Sequence, residues 1–317
     1  MNCLKNTIEM INECNKIHKI YIPLEYLNGE NIVSFIKKGN YVLKGSIIGR
    51  TKNNGIPIFS SISGKVIGIE LKTILNNKKV NCIVIENDYK EKNENGINKL
   101  DYVDKNVFLT ILKDLGIIEL DNTYLPVYKK YITNKKIKKL VIDSTANNHI
   151  IKKHCEEILE IIDIIIEIND INEAIIVINK KNKDLLKLIN NYIGTYLKIK
   201  VEIISKDFNY NNMKDNTIVN NISTIYAIYQ AVKLNKPIIE KYITISYNNN
   251  SYNILVKLGT SIKEIFDYLG IEYKNKNIFI NNKMIFKSLE DLIITSELNN
   301  IKITSYDKMW FKIIIVY

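Results

Sequence analysis

The sequence predicts a multidomain α/β protein: an N-terminal barrel-sandwich hybrid, a central α/β domain and a C-terminal β-grasp domain. Three stretches carry that prediction. Residues 36–70, IKKGNYVLKGSIIGRTKNNGIPIFSSISGKVIGIE, set two short strands around matched turn glycines and follow them with a Ser-Gly corner and an outgoing strand. Residues 139–219 alternate short β-rich runs with longer helical ones, the rhythm of a parallel sheet with crossover helices. Residues 242–286 place two hairpins around one helix.

In chain order, residues 1–18 begin MNCLKNTIEMINEC, charged throughout and without the apolar core of a secretory signal, and read as an amphipathic helix. The barrel-sandwich hybrid takes residues 19–90. Its Gly39 and Gly45 fall at turn positions that call for positive φ, and Val42, Leu43, Ile47 and Ile48 supply its small core. Lys52 stands near where this fold presents a lipoyl or biotin lysine, but its neighbours, GRTKNNG, lack the acidic and apolar residues that attaching ligases recognise. Residues 91–105, rich in Lys, Asn and Glu, read as a linker.

The α/β domain spans 106–240. VFLTILKDLGII has apolar residues at helical spacing and stops at Gly116. KLVID (139–143), AIIVI (174–178), KVEII (200–204) and TIV (217–219) are strands. One helix over 151–168 puts Ile151, Cys155, Ile158, Leu159, Ile162 and Ile166 on a single stripe. DLLKLINNYIGTYL forms the second crossover. In the β-grasp domain, 241–300, Thr260 and Ser261 are candidate caps of the one helix, and Asn281 and Asn282 turn the second hairpin. Residues 301–317, ending WFKIIIVY, read as a closing strand too short to span a bilayer.

Composition narrows the function. With 317 residues and 46% hydrophobic content the chain is long enough for two or three folded domains. The net charge of +11 rests almost wholly on lysine, Arg50 being the single arginine, so the forked guanidinium groups that read bases and clamp phosphates are missing. No nucleic-acid partner is expected. Cys3, Cys14, Cys82 and Cys155 are too far apart for a C-x-x-C metal site, and Cys82 and Cys155 read as packing residues in a reducing compartment. His149 and His154 stand five apart, off the helical register that lets two imidazoles share a metal, and read as surface histidines. No metal site is expected.

The ordered words KKGNYVLKG, SSISGKV (60–66), CIVIEND (82–88), NNISTIYAIYQAV (220–232), KPIIEKYITI (236–245) and LGTSIKEI (258–265) resemble the C subunit of the Rnf electron-transport complex and its soluble relatives such as the proline-reductase-associated protein PrdC. The resemblance covers about residues 20–300. It implies a central domain similar to the flavin and NADH-binding subunit of respiratory complex I, and a β-grasp domain of the SLBB type.

The departures from that family fall on cofactor loops. Where the family has GxGGAGFPTHVK, whose glycines let backbone N–H groups approach a phosphate, this chain has GIIELDNTYLPVYKK. Glu119, Asp121, Asn122 and Tyr124 take the loop-glycine positions, while Pro126 and Lys130 persist. A carboxylate at ~4 Å from a phosphate repels it by about 4 kcal/mol at an effective dielectric of about 20. In the counterpart of the family word NGAECEPYLTxD, DSTANNHIIKKH, Ala146 and Asn148 stand at the two glutamate positions. The family's paired iron–sulfur motifs find no match, since no cysteine follows Cys155.

Asn220 and Asn221 keep the chemistry of cofactor-lining positions, so they and Lys130 are the candidate residues of a vestigial flavin or NADH pocket, with Asn221 equally explained as a helix cap. The reading that follows is an RnfC- or PrdC-like accessory component of an anaerobic electron-transfer system. It acts by binding a protein partner in an electron-transfer or reductase complex, with no catalytic residue, no iron–sulfur cluster and no cofactor expected. It is placed in the cytoplasm or peripherally on the inner face of the membrane through such a complex. Two alternatives stand beside it: an FMN-dependent, NADH dehydrogenase-like electron-transfer subunit with altered contacts, and a lipoyl- or biotin-type carrier modified on Lys52.

Overall fold

The computed structural model describes residues 8–10, 17–26, 28–94, 103–120, 124–132, 135–205, 216–248, 250–274, 276–285 and 289–305. Cys3, Cys14, Asp121, Asn122 and the WFKIIIVY strand lie outside them.

Among the described residues, seventeen strands and seven α-helices build four sheets. Where an N-terminal helix is expected, Ile8–Met10 is a strand, β1. The next seven are β2 (Lys19–Pro23), β3 (Ile32–Ser34), β4 (Tyr41–Val42), β5 (Ile47–Thr51), β6 (Pro57–Phe59), β7 (Gly64–Ile74) and β8 (Lys78–Asn87). They form two sheets, ordered β2-β8-β7-β4 and β3-β5-β6. Gly39 and Gly45 have φ of +95° and +88°, as their turns require. Gly64 is fixed for another reason: a Cβ there would sit 1.9 Å from the Glu86 carbonyl oxygen. Of the four expected core residues, Val42 and Ile48 are buried, Leu43 is half-buried and Ile47 is 40% exposed, because β5 shows its outer side to solvent. Residues read as linker are pinned at their start, where Lys44 N donates to the Lys92 carbonyl (2.8 Å) and Glu94 N to the Lys44 carbonyl (2.9 Å).

Helix α1 (Lys105–Asp114) begins at Asp104, whose carboxylate accepts from Val107 N at 2.8 Å. It ends at Gly116, where φ is +61°. After α2 (Tyr128–Tyr131), strand β9 (Lys139–Asp143) opens the α/β domain. The expected single helix over 151–168 is two, α3 (His149–Lys153) and α4 (Cys155–Ile168), because His154 leaves helical geometry at φ −129°, ψ 41°. Then come β10 (Glu173–Asn179), α5 (Lys183–Tyr192), β11 (Ile199–Ile204), β12 (Thr217–Asn221) and α6 (Ile222–Leu234). These four strands form an all-parallel sheet in the order β11-β10-β9-β12. Every residue of the α4 stripe is buried, and so are Ile161 and Ile165, so the helix is covered on more than its sheet side.

The last strands are β13 (Glu240–Tyr247), β14 (Asn250–Lys257), β15 (Lys276–Ile280), β16 (Lys283–Ile285) and β17 (Asn300–Ser305), with α7 (Ile262–Leu269) between β14 and β15. They make one mixed sheet, β1-β14-β13-β17-β15-β16, in which β1 runs parallel to β14. Asn281 and Asn282 turn its second hairpin with φ of +46° and +65°, the geometry of a type I′ turn. The caps expected for α7 are replaced: Ser261 makes no side-chain cap bond and Thr260 Oγ1 donates to the Lys257 carbonyl. The Leu292 carbonyl instead accepts from Ile262 N at 2.9 Å.

One apolar core fills the α/β domain. A second is shared by the barrel and the six-stranded sheet, joining Ile20, Ile48 and Ile85 to Ile243, Ile254 and Phe266. The two units are stitched by Tyr21 N donating to the Gly259 carbonyl (2.9 Å) and Ser61 Oγ to the Leu258 carbonyl (2.6 Å). A Cβ on Gly259 would meet the Tyr21 carbonyl oxygen at 2.8 Å, so close packing of the two backbones demands glycine there.

Candidate functional site

The segment after α1 folds back on itself. Glu119 N donates to the Leu125 carbonyl and Val127 N to the Ile117 carbonyl, both at 2.9 Å. This narrow return buries Ile118, Leu120 and Tyr124, and holds Tyr124 at a φ of +54°. A tyrosine thus adopts a left-handed backbone at a position where the resembled loop carries glycine.

The return delivers Glu119 to the end of β12 and the start of α6. Its carboxylate is 2% exposed. Oε1 meets Lys130 Nζ at 2.5 Å and accepts from Asn220 Nδ2 at 2.5 Å, while Oε2 accepts from Thr224 Oγ1 at 3.1 Å. Lys130 also donates to the Val219 carbonyl (2.6 Å), and Asn220 Oδ1 accepts from the Tyr131 hydroxyl (3.1 Å). Thr224 Oγ1 in turn accepts from Leu120 N at 3.0 Å. Burial first, then the Glu119 charge, push the Tyr131 hydroxyl well above the ordinary phenol range, which keeps it a donor.

Two of the three predicted pocket residues, Lys130 and Asn220, therefore meet on one carboxylate. Asn221 faces elsewhere: its Oδ1 caps α6 by accepting from Thr224 N at 2.8 Å. Glu119 is not a free anion at this loop: Lys130 sits against its charge, and the carboxylate stands among the donors themselves. Thr224 and Tyr131 were missed as partners. Thr224 lies within the word NNISTIYAIYQAV and Tyr131 adjoins Lys130, but no spacing rule aims either at residue 119.

The neighbouring loop after β9 is tied to α6 by Asn147 Nδ2, which donates to Ser223 Oγ at 3.2 Å. His149 and His154 are not surface histidines. His149 is 4% exposed, edge-on to Tyr242, and burial lowers its pKa to about 4. His154 stacks on Tyr226 at 4.2 Å, bonds Tyr242 through Nε2 at 3.0 Å, and is likewise shifted down by burial. Burial raises the thiols of Cys82 and Cys155 to about 12 and about 11, so neither offers the thiolate that metals and electrophiles require. Among the described residues no group of three or more His, Cys, Asp or Glu could hold a metal ion. Lys52 is exposed between β5 and β6.

Residues 5–90 match the family model of the RnfC barrel sandwich hybrid domain. The chain is 25% identical over 289 residues to the C subunit of the proton-translocating ferredoxin:NAD(+) oxidoreductase complex of Clostridium ljungdahlii, covering 80% of this chain and 62% of that protein. It is 20% identical over 291 residues to the C subunit of the Na(+)-translocating counterpart from Acetobacterium woodii, with coverage of 80% and 65%. It is 24% identical over 309 residues to the C subunit of the ion-translocating oxidoreductase complex of Haemophilus influenzae, with coverage of 86% and 47%. The chain thus spans about half to two thirds of the length of these relatives. Among solved structures, a chain of the NAD+-reducing NiFe-hydrogenase in its air-oxidized state aligns with a TM-score of 0.52 at 10% identity, over 64% of this chain and 47% of that one. That likeness is one of fold. Among the described residues no helix is long and apolar enough to cross a membrane.

Proposed function

We propose, from an RnfC-like chain whose would-be pocket residues are bonded to its own Glu119, that this protein is an accessory component of an electron-transfer complex that acts by protein binding and holds no flavin of its own. The Glu119 carboxylate carries the reading. It engages Lys130, Asn220 and Thr224 at once, so a phosphate or flavin entering there would have to displace a buried anion from three partners. The residues do not fit FMN: a buried carboxylate tied to three side chains comes from the loop whose glycine backbone would approach the phosphate in the resembled family. No redox step is assigned to this chain.

The barrel supports the partner-binding side of the reading. Val33, Phe35, Ile69 and Leu71 are each more than half exposed on it, a set of apolar side chains suited to a protein surface. The α/β domain and the SLBB-type β-grasp domain supply the frame shared with the Rnf relatives, and attachment to a membrane complex would then be peripheral.

The test is an absorbance spectrum of the anaerobically purified chain, before and after incubation with FMN and gel filtration. The expected result is no flavin band in either. Near-ultraviolet and blue bands that survive filtration would overturn the reading and place electron transfer within this chain. Intact mass checks the carrier alternative on Lys52, for which an unmodified mass is expected.

A further inference from the structure

The narrow return that holds Glu119 also supplies a wall. Where the barrel, that return and the six-stranded sheet meet, the chain leaves a cavity of about 70 Å³. At ~10–15 Å³ of such room per water, that is space for about five to seven non-hydrogen atoms, the bulk of one six-membered ring. Ile22, Pro57 and Ile58 line it from the barrel, Ile118 and Tyr124 from the return, and Ile294 from the segment before β17. These parts are far apart in the chain, so the space exists only in the folded whole.

Two observations bear on what it can hold. The first is aromatic. Tyr124 keeps its left-handed backbone, φ +54°, at a cost that a residue with a Cβ must meet, and its side chain is buried. Its ring lies against that of Tyr26, which also lines the cavity, with centroids 4.7 Å apart and planes inclined by 30°. Packing thus holds a strained tyrosine at the wall. The second is the want of an open charge. The charged lining residues are Glu25 and Glu297. Glu25 Oε1 accepts from Lys78 Nζ at 2.6 Å, and Glu297 is fully buried, its Oε2 accepting from Ser296 Oγ at 3.2 Å. An ion that entered would give up its water for no counter-charge.

We propose that this cavity binds one small neutral ring, a flat aromatic molecule without a charged group, lying against Tyr26 and Tyr124. Removing its surface from water among isoleucine and proline side chains supplies affinity, and the tyrosine rings supply the preference for a flat aromatic guest. Apolar cavities are known hosts for such molecules. A guest touches barrel, return and sheet at once, so occupancy favours the folded chain as one unit. The inference does not rest on the flavin reading, because none of Glu119, Lys130, Asn220 and Thr224 lines the cavity.

Fluorine NMR titration of the full chain with fluorobenzene, against para-fluorobenzoate and para-fluorobenzylammonium, tests it. Fluorobenzene is expected to fill a single saturable site at millimolar concentration and to raise the melting temperature, with both ions at least about tenfold weaker. Ile58→Trp occupies the space from a partly exposed wall position. It is expected to weaken fluorobenzene at least about tenfold while leaving the circular dichroism spectrum in place. Absence of saturable fluorobenzene binding would overturn the proposal. So would an ion bound as tightly as the neutral ring, or undiminished binding in a folded Ile58→Trp chain. The comparison of ligands uses the unaltered chain, so it decides the matter even where the tryptophan prevents folding.

Discussion

Glu119 and Glu297 are both buried carboxylates at places where domains or loops meet, but their surroundings differ. Glu119 is bonded by an ammonium, an amide and a hydroxyl. Glu297 receives one neutral hydroxyl on Oε2, and its Oε1 has no hydrogen-bond partner among the described residues. The first is a closed structural centre, in which side chains of the chain itself satisfy the charge. The second is a carboxylate still lacking a donor. Burial alone thus says little about function, and the count of partners says more.

The largest expected effect breaks the closed centre. Glu119→Gln leaves Lys130 charged beside a neutral amide that cannot accept from every partner the carboxylate held. It should destabilise the chain by about 3 kcal/mol in urea unfolding, the low end for a broken buried pair because the Lys130 side chain is 26% exposed. Glu297→Gln should cost less than Glu119→Gln, since the oxygen it alters has no hydrogen bond to lose, although it removes the charge that favours the buried Lys241 ammonium. Equal losses from the two substitutions would erase the distinction between the sites.

His149 sharpens the comparison as a third case, a buried ring nitrogen. Its Nε2 has no hydrogen-bond partner among the described residues, and its folded pKa of about 4 lies below the usual 6.5. Between those values the unfolded chain binds the proton first, so this contribution to stability is intact above pH 6.5 and is lost as pH falls toward 4. The full loss is about 3 kcal/mol. Glu264, raised by burial to about 7, acts with the opposite sign over the same range. The difference between the wild-type chain and His149→Phe therefore isolates the histidine. Denaturation at pH 7 and pH 4.5 should show the variant losing at least about 1 kcal/mol less on acidification, by the same linkage.

Much of the fold was legible because its signals are local. Turn glycines needed positive φ at Gly39 and Gly45, asparagines turned the hairpin at Asn281 and Asn282, and strand runs such as KLVID became β9. What failed also had local causes. The helix through His154 reads as continuous because no residue there is a strong breaker, and the break coincides with the side chain turning onto Tyr226 and Tyr242. Thr260 and Ser261 look like caps, but a distant carbonyl, that of Leu292, took the role. In the candidate site, Lys130 and Asn220 were visible from the resemblance, whereas their attachment to Glu119 was not, because residues 119 and 220 are joined only by tertiary packing. Glu297 carried no signal at all. Its meaning depends on a missing donor, which no sequence pattern encodes.

The smallest expected effect separates the two neighbouring asparagines. Asn221 serves as a local cap, so Asn221→Ala should cost about 1 kcal/mol and Asn221→Asp almost nothing, since aspartate caps equally well and its charge suits a helix N-terminus. Asn220 holds the closed centre through both ends of its amide, donating to Glu119 and accepting from Tyr131. Asn220→Asp replaces the donor with a second carboxylate against Glu119 and should be worse than Asn220→Ala, the reverse of the order at Asn221. Thermal melts of the four variants read that order directly. If aspartate were tolerated at both positions, the polar centre would be open to water, and the distinction between a satisfied and an unsatisfied carboxylate would no longer separate the two sites.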